Sequence, residues 1–106
     1  MTMLTITNPA TGARITQLPA DDAASVAAKF AVARAAQPAW AARPLSERMA
    51  CISRFRAAIV AQLEALAAVM TSETGKPIAM SRNELNGFLG RIDFFMQQAQ
   101  AATATE

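Results

Sequence analysis

Histidine is absent from this 106-residue chain. That removes Ser-His-Asp and Cys-His catalysis and every metal site built on imidazole. Cysteine occurs once, at Cys51, so there is no internal disulfide and no paired-cysteine redox or zinc motif. Tyrosine is missing too, and one Trp with five Phe leaves little material for stacking nucleobases. Charged residues make up only 17%, below the roughly 25% of ordinary globular chains. Ten Lys and Arg against eight Asp and Glu give a net charge of +2, which is no polybasic footprint for nucleic acid. Long apolar runs are lacking as well. The longest, Ala65 to Met70, falls far short of the ~20 residues that span a bilayer. The opening Met1-Thr2-Met3-Leu4-Thr5 has neither the positive nor the apolar region of a targeting signal. The expectation is a soluble cytoplasmic chain with no nucleic-acid partner and no membrane.

What is present is apolar. Hydrophobic residues reach 53% of an 11.2 kDa chain, far too many for a disordered tail. The length suits one domain with a modest core. Such a charge-poor surface is expected to be covered in part by a partner. Residues 4–18 predict a β-hairpin. Leu4-Thr5-Ile6-Thr7 alternates as a half-buried strand, Asn8-Pro9-Ala10-Thr11-Gly12 is turn chemistry, and Ile15-Thr16-Gln17-Leu18 returns. A first helix is predicted over 21–37, capped by Asp21 or Asp22 and carrying Val26, Phe30 and Ala33 at helical spacing. Pro38 is expected to end or kink it and leave Trp40 tucked down as an anchor.

The clearest pattern predicts a second helix over 44–74. Leu45, Met49, Ile52, Phe55, Ile59, Leu63, Leu66 and Met70 step by three or four residues as one apolar stripe. Gly75 reads as the residue just past its end, and Pro77 forbids continuation. A third helix over 77–100 repeats Leu85, Phe88, Ile92, Phe95 and Ala99, with Gly87 as a weak point worth roughly 1 kcal/mol. The tail from Ala101 to Glu106 has no pattern and is expected to fray.

Candidate chemistry is thin. Cys51, flanked by Arg48 and Arg54, is the one strong nucleophile, but no base or oxyanion donor accompanies it, and packing is the better reading. Gly75-Lys76 superficially resembles a phosphate loop, yet a helix precedes it and a proline follows. Glu73, Glu84 and Asp93 are not paired at short spacing and read as solvated faces or salt bridges. Arg54 and Arg56 straddle Phe55 and are expected to flank the buried stripe. Met49, Met70, Met80 and Met96 read as packing residues. On residue chemistry the chain has no catalytic, cofactor-binding or metal site of its own.

The motifs in order carry more than any one of them. Asn8-Pro9-Ala10-Thr11-Gly12 precedes an Ala-rich helix and Pro38-Ala39-Trp40. Arg43-Pro44-Leu45-Ser46-Glu47-Arg48 and Glu73-Thr74-Gly75-Lys76-Pro77 follow, then a helix bearing Glu84 and Phe94-Phe95. Over residues 4–100 this resembles the N-terminal segment of the NAD(P)-dependent aldehyde dehydrogenase superfamily. The resemblance implies a fold that is mainly α with a short N-terminal β-hairpin and three principal helices, the opening part of an aldehyde dehydrogenase-like α/β fold. Residues 1–106 would form a single N-terminal subdomain packed on a cofactor domain, most of which is absent here along with the catalytic domain. The family's catalytic Cys, general-base Glu and cofactor loop have no counterpart here, and Cys51 does not match the catalytic Cys. NAD or NADP would serve the parent enzyme, not this chain. A structural monovalent cation is the one possible carry-over, at Ile6, Thr7 and Glu84.

The expected function is therefore that of a dehydrogenase fragment with a packing and oligomerisation role. Its partners would be the remainder of such a chain or a second copy in a homo-oligomer. The rival is a stand-alone helical interaction module derived from the same family. Either way the chain alone is expected to be inactive, and not a simple monomer.

Overall fold

Asn8 organises the first turn of the chain. In the computed structural model, which describes residues 1–104, its side-chain oxygen accepts from the backbone N–H of Ala10 at 2.9 Å, and its carbonyl accepts from Gly12 at 2.8 Å. Gly12 takes the positive φ of 75° that the turn needs. Strands β1 (Met3–Thr7) and β2 (Arg14–Pro19) pair antiparallel on either side, with Leu4 opposite Leu18 and Ile6 opposite Thr16. The register slips between Ile6 and Thr7, where Ile15 is left over as a bulge. The hairpin is thus one residue longer at each end than the alternation suggested.

Asp22 caps helix α1 (Ala23–Ala42) through a full capping box: its carboxylate accepts from the Ser25 N–H at 2.8 Å, and Ser25 Oγ accepts from the Asp22 N–H at 2.9 Å. Helix α1 does not end at residue 37. It runs through Pro38 to Ala42. Proline leaves the carbonyl of Arg34 without its intrahelical partner, and water can take that place because every residue from Val26 to Ala42 is exposed. Trp40 is accordingly not an anchor. It lies on the last turn of α1, 38% exposed, with the Arg43 guanidinium 5.7 Å from its ring centre.

The apolar stripe from Leu45 to Met70 is carried by two helices, so the helix count is four, not three. Helix α2 (Leu45–Ala61) and helix α3 (Leu63–Thr74) meet at Gln62 with a bend of 73°. Gln62 takes φ −115° and ψ 15°, the sparsely populated bridge between helix and strand. No Gly or Pro marks the break; both halves turn to pack on helix α4 (Ile78–Thr103). Gly75 closes α3 in the left-handed conformation at φ 77°, as the pattern predicted. Pro77 then caps α4 rather than beginning it, and α4 passes through Gly87 without interruption to Thr103, beyond the expected end at 100. Thr105 and Glu106 of the expected frayed tail lie outside the described residues.

The core is small. Ile59 of α2 packs with Leu89 and Ile92 of α4, with Leu63 and Met96 partly covering them. Where α3 crosses α4, small residues allow close approach: Ala67 and Ser81 are both fully buried, and the Ser81 and Thr71 hydroxyls are 2.8 Å apart. Two arginine forks pin the arrangement. Arg56 donates to both oxygens of Asp93 at 2.7 and 2.8 Å, and Arg82 grips Glu64 at 2.9 Å. The radius of gyration is 18.1 Å, against about 13 Å for a compact chain of this length.

Candidate functional site

Cys51 is half-buried in α2, and its thiol is free. Among the described residues no three of Cys, Asp and Glu converge in a way that would hold a metal ion. Gly75 and Lys76 form a helix stop, and Lys76 Nζ pairs with the Glu84 carboxylate. Glu84, the acidic member of the suggested cation site with Ile6 and Thr7, is thus committed to a lysine. Asp93 is held by Arg56, whose forked hydrogen bonds keep its carboxyl below the usual range; Arg82 does the same for Glu64. Glu73 is exposed. Of the predicted arginines, Arg56 does flank the stripe and bridges to α4.

Among the described residues the two strands form an antiparallel hairpin with no crossover helix between them. Gly75, left-handed at the end of α3, is closely covered: a Cβ built there would sit 2.9 Å from Pro9 Cγ. That contact seats the hairpin turn on the α3–α4 corner, the same corner that holds Lys76 and Glu84.

What the fold does assemble is an apolar groove. Met49 and Ile52 of α2 face Phe88, Ile92, Phe95 and Met96 of α4 around a hollow of about 420 Å³, with Arg91 at its rim. A second hollow of about 360 Å³ continues it through Phe55, Ile59, Leu66 and Leu85. Phe88 lines both, standing edge-on to Phe55 with ring centres 6.3 Å apart. Phe95 is 66% exposed beside it. The stripe residues were legible from their spacing. Which of them stay open to solvent, Ile52, Phe55, Leu66, Phe88 and Phe95, was not, because spacing gives the face and not its cover. The pairs Arg56–Asp93 and Arg82–Glu64 gave no signal either, since 37 and 18 residues separate the partners.

No single helix among the described residues is long and apolar enough to cross a membrane. In comparison with known proteins, residues 2–106 match the family model for the aldehyde dehydrogenase family. An N-succinylglutamate 5-semialdehyde dehydrogenase of Chromobacterium violaceum is 40% identical over 91 residues, covering 86% of this chain and 19% of that protein. Its counterpart numbered 2 in Caulobacter vibrioides is 38% identical over 90 residues, covering 85% and 19%. A Mycolicibacterium smegmatis protein named for succinate-semialdehyde dehydrogenase activity with NADP(+) is 38% identical over 89 residues, covering 84% and 17%. The chain therefore spans less than a fifth of the length of the curated relatives it matches. No solved structure matches it.

Proposed function

This chain belongs to the aldehyde dehydrogenase family, and we propose that it serves as the N-terminal packing segment of an NAD(P)-dependent enzyme that oxidises an aldehyde to a carboxylic acid. The observation that carries this reading is the match over residues 2–106 to under a fifth of each full-length relative. The chemistry of the whole enzyme belongs to residues this chain does not have. In such an enzyme a cysteine would hold the aldehyde carbon covalently, the nicotinamide would supply the hydride acceptor, and water would cleave the resulting thioester to free the acid. Here Cys51 sits mid-helix with no base. The contribution of this chain is its surface: the open groove on α2 and α4 and the exposed apolar residues of α1 are faces for the rest of the enzyme and for oligomer contacts. The named relatives act on aldehydes that also bear a carboxylate, and an aldehyde of that class is the substrate to try first.

The test is complementation. The Chromobacterium violaceum relative is made without the segment that this chain matches and is mixed with this chain. Each sample is assayed for NADH and NADPH formation that depends on N-succinylglutamate 5-semialdehyde. A heterocomplex that gains activity over either part alone is expected. A soluble, folded downstream part that neither binds this chain nor gains activity from it would overturn the reading.

A further inference from the structure

Asparagine occurs three times in the chain, and the residue that follows each one sets its chemistry. Asn8 precedes Pro9, which has no N–H to offer, and its side-chain oxygen already accepts from Ala10. Asn83 precedes Glu84. Asn86 precedes Gly87, and both are exposed in the middle of α4. Asparagine before glycine is the pair most open to loss of ammonia, because no side chain shields the glycine nitrogen. The packing does not require that glycine. Gly87 does not have a positive φ, and a Cβ built on it would meet nothing within 4 Å. The pair also stands at a junction. On its N-terminal side, Ser81 and Arg82 hold α3 through Thr71 and Glu64. On its C-terminal side, Leu89, Ile92 and Asp93 hold α2 through Ile59 and Arg56.

We propose that Asn86 is a deamidation site gated by the opening of α4, and that its isoaspartyl product uncouples α3 from α2. The Gly87 amide nitrogen gives its proton to a base from solvent and bonds to Cγ of Asn86. The Cγ–Nδ2 bond breaks, ammonia leaves, and a succinimide ring closes. Water then opens the ring. Cleavage between the nitrogen and Cγ yields aspartate at position 86. Cleavage between the nitrogen and the backbone carbonyl carbon yields isoaspartate, whose main chain runs through Cβ and Cγ. The intact helix blocks the first step twice. The Gly87 N–H is committed to the carbonyl four residues back, and a helical ψ of about −42° at Asn86 holds the nitrogen away from Cγ. The reaction therefore proceeds from an opened α4, in proportion to the population of that state. One extra main-chain carbon then breaks the helical repeat between Leu85 and Leu89, both buried. The residues that reach α3 and those that reach α2 no longer share one helix.

The experiment follows the intact 106-residue chain by mass spectrometry at neutral pH, in buffer and in urea, with peptide mapping to place the product. Amide hydrogen exchange at Gly87 is measured in the same buffer. Exchange and ring closure both need a base to remove the same proton after the same opening. Deamidation should therefore be slower in buffer than in urea by the factor that slows Gly87 exchange, to within about threefold. Ile92→Ala, which loosens the core, should raise the rate in buffer about tenfold or more, up to the urea rate. Gly87→Ala should lower the rate in urea, where no helix remains, by about tenfold or more. The isolated isoaspartyl chain should lose helical ellipticity, whereas Asn86→Asp, with the same charge and an unbroken main chain, should keep it. Equal rates in buffer and urea, or a rate in buffer indifferent to Ile92→Ala, would overturn the gate. A product mapped to Asn83 in place of Asn86 would overturn the site. An isoaspartyl chain as helical as the unmodified one would overturn the uncoupling.

Discussion

The three helices α2–α4 and the N-terminal arm of hairpin plus α1 are built from similar local ingredients but held together differently. Both have regular periodicity and well-formed turns, and the arm has the better cap: Asp22 and Ser25 close α1 with a capping box, while α2, α3 and α4 start without a side-chain cap. The helical body adds long-range contacts: the Ile59–Leu89–Ile92 cluster, the Ala67 and Ser81 close approach, and two arginine forks. The arm adds few. Its helix buries nothing, its strands keep Leu4 and Leu18 about half exposed, and its turn touches the body where Pro9 meets Gly75. The difference teaches that local preference shapes an element, whereas only buried apolar area stabilises it in place. The arm is a set of correct elements waiting for a surface.

The largest expected effect breaks the body. Ile92→Ala removes the centre of a core that has little else, and should cost about 2–4 kcal/mol in urea unfolding. The matched change in the arm, Val32→Ala at a site 72% exposed, should stay within about 0.5 kcal/mol. Equal losses would erase the distinction between the two regions. Pro38→Ala should act in the opposite direction. Restoring the N–H within α1 should stabilise that helix by up to ~3 kcal/mol, read as slower amide hydrogen exchange in α1 and unchanged exchange in α4.

Gly75→Ala tests the joint where the hairpin turn meets the body. Its left-handed φ and the Pro9 side chain both oppose a Cβ, so a loss of about 1–2 kcal/mol is expected. In a Pro9→Ala background the same change should cost less, since only the backbone strain remains. An identical loss in both backgrounds would mean that the hairpin does not lean on this corner. The smallest effect is in acid. The carboxyls of Asp93 and Glu64 are held below their ordinary values of 3.8 and 4.5 by Arg56 and Arg82, so the unfolded chain takes up protons first. Their stabilisation of the body is therefore complete at neutral pH. It begins to fall as the pH drops below those values and is gone once the pH passes below the folded ones. Thermal melts of Asp93→Asn should show less of that acid sensitivity than the wild-type chain.

Much of the architecture was legible in the residues. The pair Asp21-Asp22 announced the start of α1, Asn8-Pro9 with Gly12 the hairpin turn, and Gly75 followed by Pro77 the corner before α4. These are local rules, satisfied within a few residues of chain. The bend at Gln62 was not legible, because the apolar stripe runs through it without losing step and nothing in Val60-Ala61-Gln62-Leu63 disfavours helix. Pro38 misled for the converse reason: a proline ends a helix only where the lost hydrogen bond cannot be replaced, and on an exposed helix water replaces it. As for function, the ordered motifs pointed to the family.

The sequence by itself determined the hairpin, the start of α1, the stop at Gly75, the apolar stripes and the kinship, because each depends on neighbours along the chain. The tertiary structure alone decided that α2 and α3 part by 73° to share α4, that Arg56 finds Asp93, and that Phe88 and Phe95 stand at the edge of an open groove. Those outcomes turn on burial between distant residues, and periodicity names the face of a helix without saying what will cover it.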